Sequence, residues 1–298
     1  MKHLLSIETL AQADMETILA DSVNIKRARG HHASQPLACQ TWAMLFSKSS
    51  TRTRVSFEVG IRELGGQVIF LPASEIQLGR GEPIKDTARV LGRMVHGAVF
   101  RTFAQSDVEE FAHYAGIPTI NALTDQEHPC QILTDIFTFQ ERRGSIRGKV
   151  VAFIGDGAGN VATSWVFAAA KAGFELRIAA PAAFQPRADL VKRAGGKVVI
   201  TEDVNAVAAG ADLLYTDVWV SMGREKESAE RIRQMTGYQI NSSVIQLARP
   251  SALVMHCLPA YRGKEIDEVT FEANAQTIFD EAENRLHVQK AILSWLVR

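Results

Sequence analysis

Three cysteines in 298 residues, Cys39, Cys130 and Cys257, are too few and too scattered for a disulfide framework. No C-x-x-C or H-x-x-x-H spacing offers the convergent ligands that zinc needs, so no metal is expected. Long apolar runs are absent as well: none approaches the roughly 18 residues of a membrane span. Near the first residue only Leu4-Leu5 stands where a secretory signal needs a longer apolar stretch, so a cytoplasmic protein with no membrane partner is expected. Neither sign of charge dominates, with 33 Lys+Arg against 33 Asp+Glu. A whole-chain basic field is therefore lacking, and nucleic acid is not an expected partner. The Walker pattern is missing too, because the pairs Gly148-Lys149, Gly196-Lys197 and Gly263-Lys264 lack both the leading glycine and the following Ser/Thr.

What is present is an ordinary globular composition, 46% hydrophobic and 22% charged. At roughly 150 residues per domain the length suggests two domains, each with its own core. Leu10, Ala13, Met15, Ile18 and Leu19 predict a helix within Ile7–Arg29, stopped by Gly30. Thr41–Phe46 is a short apolar strand, followed by the polar loop Ser47–Ser50. Thr51–Leu64 carries both an alternating and a helical pattern; its length and Gly65-Gly66 favour a helix, with Gln67–Leu71 as the next strand. A similar unit begins at Lys149–Ile154, passes the turn Gly155–Asn160 and the helix Val161–Ala172, and returns in Glu175–Ala179. Further strands are expected at Lys197–Ile200, Leu213–Tyr215 and Ala252–Met255. The polar segment Gln140–Gly148 is the expected hinge. Alternating strands and helices predict an α/β fold of two doubly wound domains, each with a mostly parallel sheet flanked by helices. Ligands in such sheets bind at the carboxyl ends of strands, which directs attention to the loops after Phe46, Phe100, Ile154, Tyr215 and Met255.

Several of those loops carry chemistry. Ser50-Thr51-Arg52-Thr53-Arg54, with Lys48 beside it, puts hydroxyls, main-chain N–H groups and guanidinium forks at a helix start. That combination suits a phosphate, and it equally suits a capped helix with exposed basic residues. His128-Pro129-Cys130-Gln131 opens a further apolar helix, where a His and an amide can polarise a carbonyl oxygen. A buried thiol is the default for Cys130, since sequence neighbours rarely act together as nucleophile and base. His256-Cys257-Leu258-Pro259 ends a strand, leaving Cys257 as thiolate, ligand or packed thiol. Arg101 and Arg285 are further candidate anion contacts. The turn Gly155–Asn160 departs from G-x-G-x-x-G at Asn160, and the following strand lacks an acidic residue for a ribose hydroxyl, which weighs against a nicotinamide cofactor.

Taken together, Phe46–Glu58, Gln77–Val90, Arg101-Thr102, His128–Gln131, Gly155–Asn160, Asp217–Gly223, His256–Gly263 and Glu283–Lys290 resemble the carbamoyltransferase family, and its ornithine-using branch in particular. The pieces occur in family order over nearly the whole chain. The resemblance implies a carbamoyl phosphate domain, residues 1–140, onto which a helix at about 280–298 packs back, and an ornithine domain, residues 148–279. It implies that Ser50, Thr51, Arg52 and Thr53 hold the phosphate while Arg101 bridges phosphate and carbonyl oxygen. His128, Gln131 and the main chain at Cys257 and Leu258 would contact the carbamoyl group, and Arg285 would complete the pocket. Arg101, His128 and Cys257 are the implied catalytic residues. Gln77 lies in a loop that in the family reaches into a neighbouring subunit, implying a homotrimer with sites at subunit interfaces. Asn160, Asp217, Ser221 and Met222 match ornithine-binding positions. The S-M-G and H-C-L-P segments together favour L-ornithine over aspartate or putrescine.

The reaction so implied is transfer of the carbamoyl group to the δ-amine of ornithine, giving citrulline and phosphate, as in arginine biosynthesis, with no cofactor, metal or covalent intermediate. Runners-up are a carbamoyltransferase for another amine and an inactive paralogue acting as a partner subunit. A loop at Ser221-Met222-Gly223 is expected to close over ornithine, and most charges of Arg224–Arg233 to lie on a solvated helix face. Two departures stand out. Gly159 replaces the first of the two asparagines usual in the turn, which is expected to loosen it, and Tyr261 stands where many relatives carry histidine.

Overall fold

A computed structural model describes residues 1–31, 34–77, 81–220 and 228–298. They form two units, one of residues 1–137 with 284–298 and one of residues 138–283. In the first unit α1 (Gln12–Arg27) precedes β1 (Thr41–Phe46), α2 (Thr51–Glu63), β2 (Gln67–Pro72), α3 (Ile84–Leu91), β3 (Gly97–Arg101), α4 (Gln105–Ala115), β4 (Thr119–Leu123) and α5 (Pro129–Arg143). Its sheet is parallel, in the order β2-β1-β3-β4. The two central strands show what two-sided cover requires: β3 is buried at every residue and β1 from Trp42 to Phe46, whereas the edge strand β2 is partly exposed throughout.

The second unit holds β5 (Val150–Ile154), α6 (Asn160–Ala172), β6 (Glu175–Ala179), α7 (Ala188–Ala194), β7 (Lys197–Thr201), α8 (Val204–Ala208), β8 (Leu213–Thr216), α9 (Ser228–Met235), α10 (Ser242–Ile245) and β9 (Leu253–His256). These strands are parallel in the order β7-β6-β5-β8-β9. The last helix, α11 (Glu268–Leu296), and α5 each cross the division between the units, so the boundary falls inside helices. The expected hinge Gln140–Gly148 accordingly begins as the end of α5. No helix among the described residues is long and apolar enough to cross a membrane.

Each sheet reverses its direction of growth once. In the first unit the chain leaves β1 for β2 on one side and returns to place β3 on the other; β5, β6 and β8 repeat this in the second. Crevices at such points lie beyond the strands' carboxyl ends, between the loops after β1 and β3 and between those after β5 and β8. Register brings those ends level, with Phe46 paired to Arg101 and Phe153 to Tyr215.

The N-terminal helix is shorter than its periodicity suggests. Ile7 lies in a turn where its N–H donates to Glu127 Oε2 at 2.7 Å, and Leu4 bridges Ile120 of β4. A long-range anchor overrides the local pattern there, and the helix starts at Gln12.

Candidate active site

The ambiguous segment Thr51–Leu64 is a helix because its first turn is fastened. Ser50, extended at φ −163°, is the N-cap of α2 and accepts the Thr53 N–H at 3.3 Å. The remaining N–H groups of that turn face the same crevice as the end of β3. Arg101 is the last residue of β3 and is buried, with its Nε lacking a hydrogen-bond partner. Burial first, and then the neighbouring Arg285 and Arg52, pull its guanidinium down to about 10, so it still carries its charge at neutral pH. Buried polar donors nearly always find acceptors, so a charged guanidinium with an unpartnered Nε at this strand end can take an anion.

Arg285 reaches this crevice from α11. It is 4% exposed and donates to Gln131 Oε1 at 2.6 Å and to Thr53 Oγ1 at 3.1 Å. Gln131 passes the chain of bonds on, donating to Asp135 Oδ1 at 2.8 Å. One turn after Arg285, the Gln289 carboxamide, turned so that its oxygen faces the guanidinium and its nitrogen Ser56 Oγ, accepts from Arg285 Nε and Nη2 at 3.1 and 2.9 Å. Gln289 was not singled out from sequence, although it sits at i+4 from Arg285 in the same quoted segment. His128, just before α5, is buried among these cations. Desolvation, then Arg285 and Arg101, hold its imidazole well below the usual histidine range, so it is neutral at pH 7. Lys48 is also buried, ion-paired to Asp125 and seated 4.4 Å over the Phe103 ring. Ser50, Thr51, Arg52, Thr53, Arg101, His128, Gln131 and Arg285 are thus all in one unit. Gln77 is exposed in that unit, just before residues outside the described set.

Cys130 is closed to chemistry. Its thiol is buried, donates to the Asn121 carbonyl at 3.4 Å, and is pushed up to about 12 by burial. A thiol so protonated is no nucleophile.

In the second unit the turn after β5 begins at Gly155, whose φ of +135° excludes other residues without strain. A side chain at Gly157 would stand 2.9 Å from Ile178 and 3.0 Å from the Phe184 carbonyl. Asn160 follows as the first residue of α6, behind an N-cap, Gly159, that has no side chain to cap with. Asp217 follows β8. Its Oδ1 accepts the Val218 N–H at 2.7 Å and the Cys257 thiol at 3.0 Å. Burial raises its carboxyl above the usual range, against the opposing pull of the thiol and the amide that bond it. Cys257 therefore stands as a thiol donating to a carboxylate. Ser221 and Met222, and the loop expected to close, lie outside the described residues.

Two buried glutamates that bond His256 were not read from sequence. The His256 ring is shared between the Leu258 N–H, which donates to Nδ1 at 2.9 Å, and Glu265 Oε1, 3.2 Å from Nε2. The proton therefore sits on Nε2, since an amide can only donate. Glu281 accepts the His256 main-chain N–H at 3.0 Å. Leu258, at φ +58°, is held in the left-handed region by these bonds and precedes a cis peptide to Pro259. The charged stretch Arg224–Arg233 also holds an exception to its expected exposure: Arg231 is buried.

Comparison with known proteins bears on the assembled geometry. The family model for the aspartate/ornithine carbamoyltransferase carbamoyl-P binding domain matches residues 2–141, and that for the Asp/Orn binding domain matches 147–296. The chain is 53% identical to an ornithine carbamoyltransferase of Akkermansia muciniphila over 99% of this chain and 98% of that protein. It is 47% identical to one of Methanoculleus marisnigri over 99% and 97%. Among solved structures, the anabolic ornithine carbamoyltransferase of Campylobacter jejuni superposes with a TM-score of 0.93 at 39% identity, covering 99% of both chains. The Pyrococcus furiosus ornithine carbamoyltransferase gives 0.93 at 40% identity, covering 99% of this chain and 97% of that one. The chain belongs to the aspartate/ornithine carbamoyltransferase family.

Proposed function

We propose that the protein is an ornithine carbamoyltransferase, moving the carbamoyl group of carbamoyl phosphate to the δ-amine of L-ornithine to give L-citrulline and phosphate. The observation that carries the reading is the gathering of Arg52 and Arg285 about Arg101, with a neutral His128 beside Arg101 and Arg285, at a capped helix N-terminus. A dianionic phosphoryl group with a carbonyl attached fits that arrangement: the α2 N–H groups and Arg52 take the phosphate, and Arg101 spans phosphate and carbonyl oxygen. As the amine attacks, charge builds on that oxygen. Arg101, the Thr53 hydroxyl and an N–H of the neutral imidazole stabilise it, and Arg285 offsets charge on the departing phosphate. Gln131 and the main chain at Cys257 and Leu258 complete the contacts to the carbamoyl group.

Asp217 supports the choice of co-substrate. A carboxylate with a thiol beside it attracts an ammonium and repels the second carboxylate of aspartate. Asn160, Ser221 and Met222 complete the ornithine contacts in this reading. The δ-amine resembles lysine, with an unperturbed pKa near 10, and must shed a proton before attack. The enzyme acts as a cytoplasmic homotrimer in arginine biosynthesis, Gln77 entering the neighbouring subunit's site.

The test is citrulline formation by the purified protein, with putrescine, acetylated ornithine and aspartate run in parallel. Turnover with ornithine alone is expected. Turnover only with another amine overturns the co-substrate, and none with any amine in a folded protein overturns the activity.

A further inference from the structure

The ion pair of Arg231 with Asp156 is unusual among the described residues. Its side chains are 5% and 6% exposed, against 24% and 16% for Arg177 with Glu175 and 23% and 36% for Arg142 with Asp280. A buried pair of this kind gains little stability over an apolar one, and its established use is to fix geometry. What it fixes here is visible in its bonds. Arg231 Nη2 donates to Asp156 Oδ2 at 2.8 Å, while Asp156 Oδ1 accepts the Ala158 N–H at 3.1 Å and the Asp156 carbonyl accepts the Gly159 N–H at 3.2 Å. The guanidinium lies 4.6 Å from the centre of the Phe184 ring, in the 3-10 turn Ala182–Phe184 that also crowds Gly157.

An N-cap side chain ordinarily fastens a helix start by accepting the N–H of the second or third residue. Gly159, the N-cap of α6, has no side chain with which to do so. We infer that the Asp156–Arg231 pair is a positioning device for the amino-acid substrate, clamping the Gly155–Gly159 turn and so the start of α6 that presents Asn160, in place of the cap that Gly159 lacks. The inference rests on the proposed function, in which Asn160 meets ornithine; neither Asp156 nor Arg231 touches a substrate in that reading.

The test separates the two substrates. Arg231→Met is expected to raise the ornithine KM by about tenfold or more, a loss of one factor of ten in binding, while the carbamoyl phosphate KM moves less than about twofold. Arg231→Lys should recover part of the loss, and Arg233→Met, at the exposed neighbour, should change neither constant. Because Arg231→Met strands a buried carboxylate, the paired variant Asp156→Asn with Arg231→Met is measured beside it; it leaves no orphaned charge and keeps the protein folded. Gly159→Asn supplies the missing cap. This residue's φ of −70° is open to any side chain, and the Asp156 carbonyl oxygen, 3.3 Å from the added Cβ, must give by about a few tenths of an ångström. In that background the loss caused by Arg231→Met should shrink to about threefold, a coupling between neighbours in one network. An equal loss in both backgrounds overturns the inference, as does a rise in both KM values together or in neither. Turnover of ornithine by the unaltered protein is measured first. Its absence removes the proposed function and the inference with it, whereas normal turnover with an unmoved KM in the variants removes the inference alone.

Discussion

At the scale of single residues, burial decides which groups are chemically available. Arg101 ends a buried strand with an unpartnered Nε, so its removal should cost transition-state stabilisation and leave packing largely intact. Arg101→Ala is expected to lower kcat by at least about 100-fold, as for loss of an oxyanion donor, with the thermal unfolding midpoint little moved; a loss under tenfold would remove Arg101 from that role. Asp217 makes a prediction about pH. Its folded pKa is raised, so the folded state holds a proton that the unfolded chain has already released. The stability this contributes is present in full below the ordinary value near 3.9 and is lost as pH rises through the raised value. An ammonium partner favours the ionised form. Ornithine binding within that window should therefore release a proton, detectable as a buffer-dependent calorimetric heat, and Asp217→Asn should abolish the release. Arg101 could be singled out because it stands at a strand end, whereas Asp217 was reached only through the family resemblance. Arg231 was not, since in a run of charges nothing local distinguishes the one residue that turns inward to Asp156.

At the scale of elements, caps and sheet order position the chemistry. Ser50 serves twice, fastening α2 and aligning the N–H groups that are proposed to meet phosphate. Ser50→Ala should cost about 1 kcal/mol in urea unfolding and raise the carbamoyl phosphate KM while leaving the ornithine KM unchanged. If stability falls and neither KM moves, the cap is structural alone. The strands with apolar runs, β1, β5 and β8, and the alternating β6 were legible to within a residue or so. β4 was not: Thr119–Leu123 contains Asn121, whose buried amide donates to the Leu5 carbonyl at 2.8 Å, so a polar residue interrupts the apolar signal. Nor was the length of α11 readable, because helix ends set by tertiary packing leave weak marks in sequence.

At the scale of the whole molecule, the two similar halves were readable from repeated strand–turn–helix patterns. Their division inside α5 and α11 was not, since both helices run through it without a glycine or proline. The proposed trimer makes its own prediction. If Gln77 acts in a neighbouring subunit, then Gln77→Ala and Arg101→Ala proteins, each impaired alone, should regain activity once dissociated together and reassembled. The mixed trimers contain sites with both residues intact. Absence of any regain would place Gln77 outside the neighbour's site.

Arg285 bonds Thr53 across 232 residues of sequence. During synthesis the loop of Ser50 to Thr53 therefore emerges from the ribosome long before its partner, and the first unit is left waiting for residues 284–298. A ribosome-bound chain holds the loop of Ser50 to Thr53 without its arginine. In the proposed function, capture of carbamoyl phosphate thus belongs to the nearly finished polypeptide, and a chain cut short before Arg285 would present the loop of Ser50 to Thr53 without its arginine partner.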